Sequence, residues 1–366
     1  MRILLTTGIF PPDIGGPATF IPEIANTLVE MGHQVTVLTL TNECDRVENS
    51  PYAIHFISRK RLRIHRQFKT VYFLVKYLKN FDFVFANGLH EEVGFSLRIR
   101  KSFSGFSAAK IVGDPVWERA VNAFDTKSRI DEFSSEKYLK YRLQRRIFIA
   151  SLNEFNLITA PSSALISLAK SWGVATSMVH IPNGIRITEA TSEVEVFDLI
   201  TVSRLTQWKN IDLVISIANE LNLQLAIVGS GPDFEKLEIL ASKHPNIKLF
   251  GEKSKEEIEF LLLRSKIYVA LSSYEGLSFS LLQAMMLKRT CIVSDITGNS
   301  QVITNRVNGI LVSVSDKSRL KSEIVDFLGD ESLRTYLGEN ARAKVIQDFD
   351  IKIYAREILS KVESNE

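Results

Sequence analysis

Short runs of β-branched and aliphatic residues alternate with amphipathic stretches along the whole 366-residue chain. Such alternation marks an α/β protein with parallel sheets. In the front half, strands are expected at 3–7, 34–39, 53–57, 82–86, 109–112, 157–160 and 178–181. A helix is expected over 17–31, where Phe20, Ile24 and Leu28 recur at helical spacing and Pro17 suits the first turn. The pattern lapses in the polar stretch IPNGIRITEATSEVE, whose Pro-Asn-Gly turn places a linker at 183–196. It then resumes, with strands at 197–202, 224–228, 248–250, 267–271, 290–294 and 309–312. Helices are expected between them at 210–221, 234–243, 278–287 and 317–328, and two helical runs, 332–347 and 351–361, close the chain. This reads as two Rossmann-like units of similar size, over 1–182 and 197–347, followed by a terminal helical segment over 348–366. Units of this kind bind ligands outside the carboxyl ends of their strands.

Composition narrows the class. The chain is 45% hydrophobic and 24% charged, with 10 Pro and 18 Gly, which excludes disordered, collagenous and disulfide-scaffold proteins. Its two cysteines, Cys44 and Cys291, lie far apart and suit a reducing compartment. The opening MRILLTTGIFPP is broken by Pro11-Pro12 and reads as a strand, not a leader; no apolar run reaches the ~18 residues of a membrane span. A cytoplasmic protein is expected, at most peripheral on the inner face of a membrane. Charge is uneven: residues 1–181 carry 23 Lys/Arg against 16 Asp/Glu, and the remainder 22 against 26.

Four clusters could carry chemistry. Gly15-Gly16, between the first strand and first helix, would let backbone N–H groups approach an anion, although tight βα turns with glycine are common. Gly229-Ser230-Gly231 follows a later strand but has Phe234 where the dinucleotide fingerprint needs its third glycine, which argues against a nicotinamide dehydrogenase. Arg204 and Lys209, just past another strand, could clamp a diphosphate; two solvated surface cations are the plainer reading. Glu275-Gly276-Leu277-Ser278-Phe279 ends a strand and opens a helix, placing a carboxylate beside free amides, or simply marking a serine-capped helix.

Taken in order, PPDIGGPATF, VSRLTQWKN, VGSGP, LFGEKSKEEI, EGLSFSLLQAM, GNSQVI and NGILV resemble the retaining glycosyltransferases of family 4. The resemblance implies a GT-B fold, with two Rossmann-like domains facing a central cleft and the C-terminal helix crossing back to the first. It implies a nucleoside diphosphate sugar held mainly by the second domain, UDP-linked in the first instance and GDP-linked in the second, and a glycan or lipid-linked acceptor held by the first. Arg204 and Lys209 would bind the diphosphate, with Gly15 and Gly16 beside it and the Gly229–Gly231 turn in the same donor site. Glu275 would hold the sugar hydroxyls, and the amides of Gly276, Leu277, Ser278 and Phe279 would cup the sugar and distal phosphate. Glu252 and Lys253 fall where the nucleobase is read. Neither a cofactor nor a divalent metal is implied, because the Arg/Lys pair replaces the metal. Two positions depart from the family. The second carboxylate of its Glu-x7-Glu pair, which takes the ribose hydroxyls, is Gln283 here. Gly113 stands where many members carry a histidine, leaving Asp114 as the nearest polar candidate for the reacting centre.

Residues 51–81 contain no acid and eight cations: Arg59, Lys60, Arg61, Arg63, Arg66, Lys69, Lys76 and Lys79. Contact with an anionic membrane or a phosphate-bearing acceptor through Arg59–Lys79 is one reading, and a packed helix with a solvated basic edge is the other. No recognition motif makes nucleic acid a partner. His90, at a strand end, is the one histidine placed for acceptor contact, and Asp348-Phe349-Asp350 reads as a helix junction. The rival functions are a sugar-nucleotide epimerase of the same fold and a non-catalytic sugar-nucleotide-binding protein.

Overall fold

The structure, a computed structural model, describes every residue except 14, 43–49, 124, 127, 135–138, 192 and 365–366; Cys44 lies outside the described residues. The chain forms two compact units, Met1–Gly184 with Ile351–Glu366, and Ile185–Asp350.

The first unit contains β1 (Arg2–Thr7), α1 (Gly16–Glu30), β2 (Gln34–Thr41), β3 (Ala53–Ser58), α2 (Arg63–Tyr77), β4 (Phe83–Asn87), α3 (His90–Ile99), β5 (Phe106–Lys110), α4 (Pro115–Asn122), α5 (Leu139–Leu152), β6 (Leu157–Ala160), α6 (Ser163–Ser171) and β7 (Met178–His180). Its seven strands pair in parallel in the order β3-β2-β1-β4-β5-β6-β7. A parallel sheet covered on both faces needs apolar residues at nearly every position, which is why β1, beyond exposed Arg2, and β4 are apolar but for two threonines and one asparagine. Leu74 of α2, Val93 and Leu97 of α3, Phe148 and Leu152 of α5, and Leu165 of α6 enter one core with Leu4, Val84 and Ala109, so these helices share one face of the sheet.

The second unit contains β8 (Phe197–Val202), α7 (Ile211–Glu220), β9 (Leu225–Val228), α8 (Phe234–Ala241), β10 (Ile247–Leu249), α9 (Lys255–Leu263), β11 (Ser265–Ala270), α10 (Phe279–Met286), β12 (Thr290–Ser294), α11 (Thr297–Ser300), β13 (Ile310–Val312), α12 (Lys317–Gly329) and α13 (Glu331–Asp348). Its parallel order is β10-β9-β8-β11-β12-β13. Successive side chains feed opposite faces: Ile200 and Val202 enter one core with Leu281 and Val345, while Leu199 enters the other with Val214 and Leu320. The chain then returns as α14 (Ile351–Glu363) to the first unit, where buried Tyr354 packs edge-on against Phe20 of α1 at a centroid distance of 5.0 Å.

Two expected elements shift. The strand placed at 109–112 is β5, Phe106–Lys110, because the chain beyond Ile111 turns at Gly113 to enter α4. The helix placed at 210–221 is α7, Ile211–Glu220, starting one residue later because Asn210, at φ 51°, ends the preceding 3-10 turn Gln207–Lys209. Asparagine is among the few residues that adopt this left-handed conformation readily.

Candidate active site

In the second sheet the strand order reverses between β8 and β11, since β8 leads outward to β9 while β11 lies on its other side. At such a reversal the loops leaving two neighbouring strands diverge and leave an opening at their carboxyl ends. The loop after β8 carries Arg204 and Lys209, and the loop after β11 carries Glu275 to Ser278.

Backbone and side-chain bonds sew these loops together. Asn210 Nδ2 donates to the Leu271 carbonyl (2.7 Å) and to Ser273 Oγ (3.0 Å), and the Ser273 amide donates to the Trp208 carbonyl (2.7 Å). Lys209 Nζ donates to Glu275 Oε1, which also accepts from the Ser272 hydroxyl at 3.3 Å. Lys209 and Glu275 are thus brought together as an ion pair, both largely buried. Arg204 is exposed and, among the described residues, has no hydrogen-bond or ion-pair partner.

The glycines keep this loop in place. The Ser203 amide donates to the Val228 carbonyl (3.1 Å), Leu205 to Ser230 (2.9 Å), and Asp233 back to Leu205 (3.0 Å). Gly229 has φ +136°, and a Cβ there would stand 1.9 Å from the Ser203 carbonyl oxygen. At Gly231 a Cβ would stand 2.3 Å from the Leu205 carbonyl oxygen. Their first contribution is therefore close backbone packing under Arg204. The Gly229 amide donates to the Gly251 carbonyl (2.8 Å), drawing in the loop that bears exposed Glu252 and half-buried Lys253. Lys253 is already paired with Glu257 at 2.9 Å.

On the other side, Ser278 caps α10 by accepting from the Leu281 amide (3.3 Å), with Gly276 and Leu277 buried just before it and Gln283 half-buried one turn on. Ser280 Oγ donates to the Val202 carbonyl (2.8 Å), tying α10 to the end of β8. The residues that fix the Glu275 loop from behind were not singled out in the sequence. Ser294 Oγ donates to the Ser272 carbonyl (2.6 Å), Asn299 Nδ2 to the Ser294 carbonyl (2.8 Å), and a Cβ on Gly298 would stand 2.2 Å from the Glu275 carbonyl oxygen. The motif GNSQVI held that signal, since a Gly-Asn pair after a strand supplies both close approach and a side-chain amide donor.

In the first unit, Gly15 and Gly16 open α1, and the loop before them is held by Arg59, which donates to both oxygens of Asp13 and to the Gly8 carbonyl. Arg59 is thus committed to loop support and is not a cation for lipid. His90 is half-buried; its Nε2 lies 2.9 Å from the Lys110 carbonyl, and desolvation pulls its pKa below the usual value. Asp114 departs from the sequence expectation. Its side chain is 1% exposed, caps α4 by accepting from the Val116 and Trp117 amides (2.9 and 3.0 Å), and pairs with buried Arg145. Both oxygens are engaged, so Asp114 builds the unit rather than offering a free carboxylate at a reacting centre.

Comparison with known proteins agrees with this geometry. Residues 188–344 match the family described as glycosyl transferases group 1. An uncharacterized glycosyltransferase of Methanocaldococcus jannaschii is 31% identical over 169 residues, 43% of either chain. The chain thus spans less than half the length of that curated relative. Among solved structures, sucrose-phosphate synthase from Thermosynechococcus elongatus superimposes with a TM-score of 0.79 at 17% identity, over 99% of this chain and 98% of the other. Anabaena HepE, solved in complex with UDP and glucose, gives 0.79 at 16% identity over the whole of both chains. The fold is GT-B, and the match to the group 1 glycosyltransferases falls within the second unit.

Proposed function

We propose that the protein transfers a sugar from a nucleoside diphosphate donor, UDP-linked before GDP-linked, to a hydroxyl of a glycan or lipid-linked acceptor, with retention of anomeric configuration and without a metal. The convergence of Arg204, Lys209 and Glu275 at the strand-order reversal of the group 1 unit carries this reading. In it, Arg204 and Lys209 neutralise the departing diphosphate, the amides of Gly276–Phe279 and the Glu275 carboxylate hold the sugar, and Glu252 and Lys253 border the nucleobase. The bond from the anomeric carbon to the diphosphate breaks as the acceptor oxygen bonds on the same face, and the acceptor proton passes to a diphosphate oxygen. Preorganised charge aimed at the leaving group is the main contribution of the protein.

A screen of UDP- and GDP-sugars, read by nucleoside diphosphate release and by the NMR coupling of the product's anomeric proton, tests this directly. Activity should survive chelator. Inversion at a ring carbon without release would mark an epimerase, and binding without turnover a non-catalytic protein.

Gln283 is assigned to the donor ribose. A carboxylate there would accept hydroxyl protons more strongly, since hydrogen bonds to charged groups contribute about 1.5–3 kcal/mol against roughly 0.5–1.5 for neutral ones. Gln283→Glu is expected to tighten UDP binding about fivefold and to leave 2′,3′-dideoxy-UDP unaffected. Equal gains for both nucleotides in calorimetry would remove Gln283 from the ribose.

Peripheral contact with an anionic membrane belongs to the same proposal. Helix α2 contains no acid, and its outward Phe68 and Tyr72 are exposed beside Lys69 and Lys76. On neighbouring α3 and α5, packed on the same sheet face, Phe95, Ile99, Leu139 and Leu143 are exposed too. Among the described residues no helix is long and apolar enough to cross a membrane. Sedimentation with phosphatidylglycerol vesicles is expected to exceed that with phosphatidylcholine and to fall with salt, as exposed charges screen within about 8 Å at physiological ionic strength. Equal sedimentation with both lipids would count against it.

A further inference from the structure

The first unit has a pocket of about 310 Å³ at the carboxyl edge of its sheet, bounded by the starts of α2, α3 and α4 and by α5. This lies at the small end of ligand pockets, which run roughly 300–1,000 Å³. Its charged lining is unusual: Arg63, Arg66 and Arg119 face it together with Glu91 and Glu92. One cation is already occupied, since Arg119 lies 3.8 Å from Glu91 and donates to Gln144 at 3.1 Å. Arg63 and Arg66 have no carboxylate within 4.0 Å among the described residues; the Arg63 charge reaches Glu92 only from beyond ion-pair distance. Burial also raises the Glu92 pKa from its ordinary value. The residues flanking Arg63 are apolar and open to solvent: Leu62 is 83% exposed and Ile64 81%.

Two unspent guanidiniums in a pocket, beside exposed aliphatic side chains, match a ligand with an anionic head and an apolar tail. Guanidinium groups bind phosphate oxygens through two parallel N–H bonds, a geometry that a lone lysine cannot offer. Resting on the glycosyltransferase reading above, we propose that this pocket seats the phosphate or diphosphate head of an amphiphilic acceptor. Arg63 and Arg66 grip the head, and Leu62 and Ile64 meet the first carbons of its chain. The acceptor class is thereby an alkyl or polyprenyl phosphate ester, and a neutral glycan falls outside it.

The test is calorimetric titration of the full chain with octyl phosphate below its micelle concentration, with octanol and with inorganic phosphate. Octyl phosphate is expected to bind more tightly than either. Arg63→Gln and Arg66→Gln should each weaken it about tenfold, as for a lost charge-assisted bond, with UDP affinity unchanged. Arg204→Ala serves as the reciprocal control, keeping octyl phosphate affinity while UDP affinity falls. Unchanged octyl phosphate affinity in both glutamine variants would overturn the proposal, as would octanol or inorganic phosphate binding as tightly as octyl phosphate. Failure of the donor reading shows separately, as UDP-sugars that neither bind nor turn over while octyl phosphate still binds.

Discussion

Replacing Arg204 by alanine is expected to lower turnover by about 10²–10³, the loss found when one preorganised charge-stabilising donor is removed. Stability should stay within about 0.5 kcal/mol of the parent, because an exposed side chain away from caps and cores contributes little to folding. Arg204 meets that condition: it is exposed, and its loop is held by backbone bonds and by Gly229 and Gly231, not by its own guanidinium. Single-turnover kinetics with a UDP-sugar and a thermal melt of the same sample supply both readings. Near-normal turnover would remove Arg204 from the diphosphate, and a large drop in melting temperature would make it a structural residue.

Arg145→Met is expected to have the largest effect on stability, about 3–5 kcal/mol, because it leaves a buried carboxylate without its counter-ion. Arg145 is 7% exposed and Asp114 1%, and the guanidinium also lies 4.2 Å from the Trp172 ring centroid, so the methionine retains packing but not charge. Asp114→Asn should cost less, since its amide oxygen can still cap α4, and the double variant should recover part of the loss of Arg145→Met. Urea unfolding followed by circular dichroism measures all three. A loss below about 1 kcal/mol for Arg145→Met would contradict the buried pair. A fall in turnover of Asp114→Asn with no fall in stability would return Asp114 to the reacting centre.

The contrast between Arg204 and Asp114 shows how far the sequence could be read. The strands were legible because a sheet covered on both faces leaves runs such as RILLTT and FDLITV, whose length and β-branching admit few alternatives. That Lys209 and Glu275 would meet was legible because the loop carrying each follows such a run, where a parallel sheet gathers its loops. Asp114 also follows a strand, but an Asp before Pro suits a helix cap equally well, and its counter-ion lies 31 residues further on in α5. Strand β5 holds a residue whose surroundings the sequence does not show. Its Lys110 reads as a surface residue, yet it is buried with its ammonium 3.4 Å from the Phe20 ring centroid and 4.6 Å from that of Tyr354. Burial there draws its pKa well below the usual lysine range. Aromatic cover supplied from two distant helices leaves no local trace. The pocket on the first unit was partly legible: Arg63 and Arg66, three apart on α2, stand in the acid-free run, whereas Arg119 comes from α4 with no spacing that marks it as their neighbour.

The return of α14 to the first unit has a consequence for biosynthesis. Residues 185–350 form a continuous unit, whereas the first unit lacks Tyr354, Ile358 and Leu359 from its core until the last helix has been made. At ~5–20 residues per second, translation of the second unit alone takes about 10–30 s. Throughout that interval the nascent first unit leaves the side of α1 that bears Phe20 uncovered, open to solvent and to a chaperone. The unit begun first is therefore the one completed last.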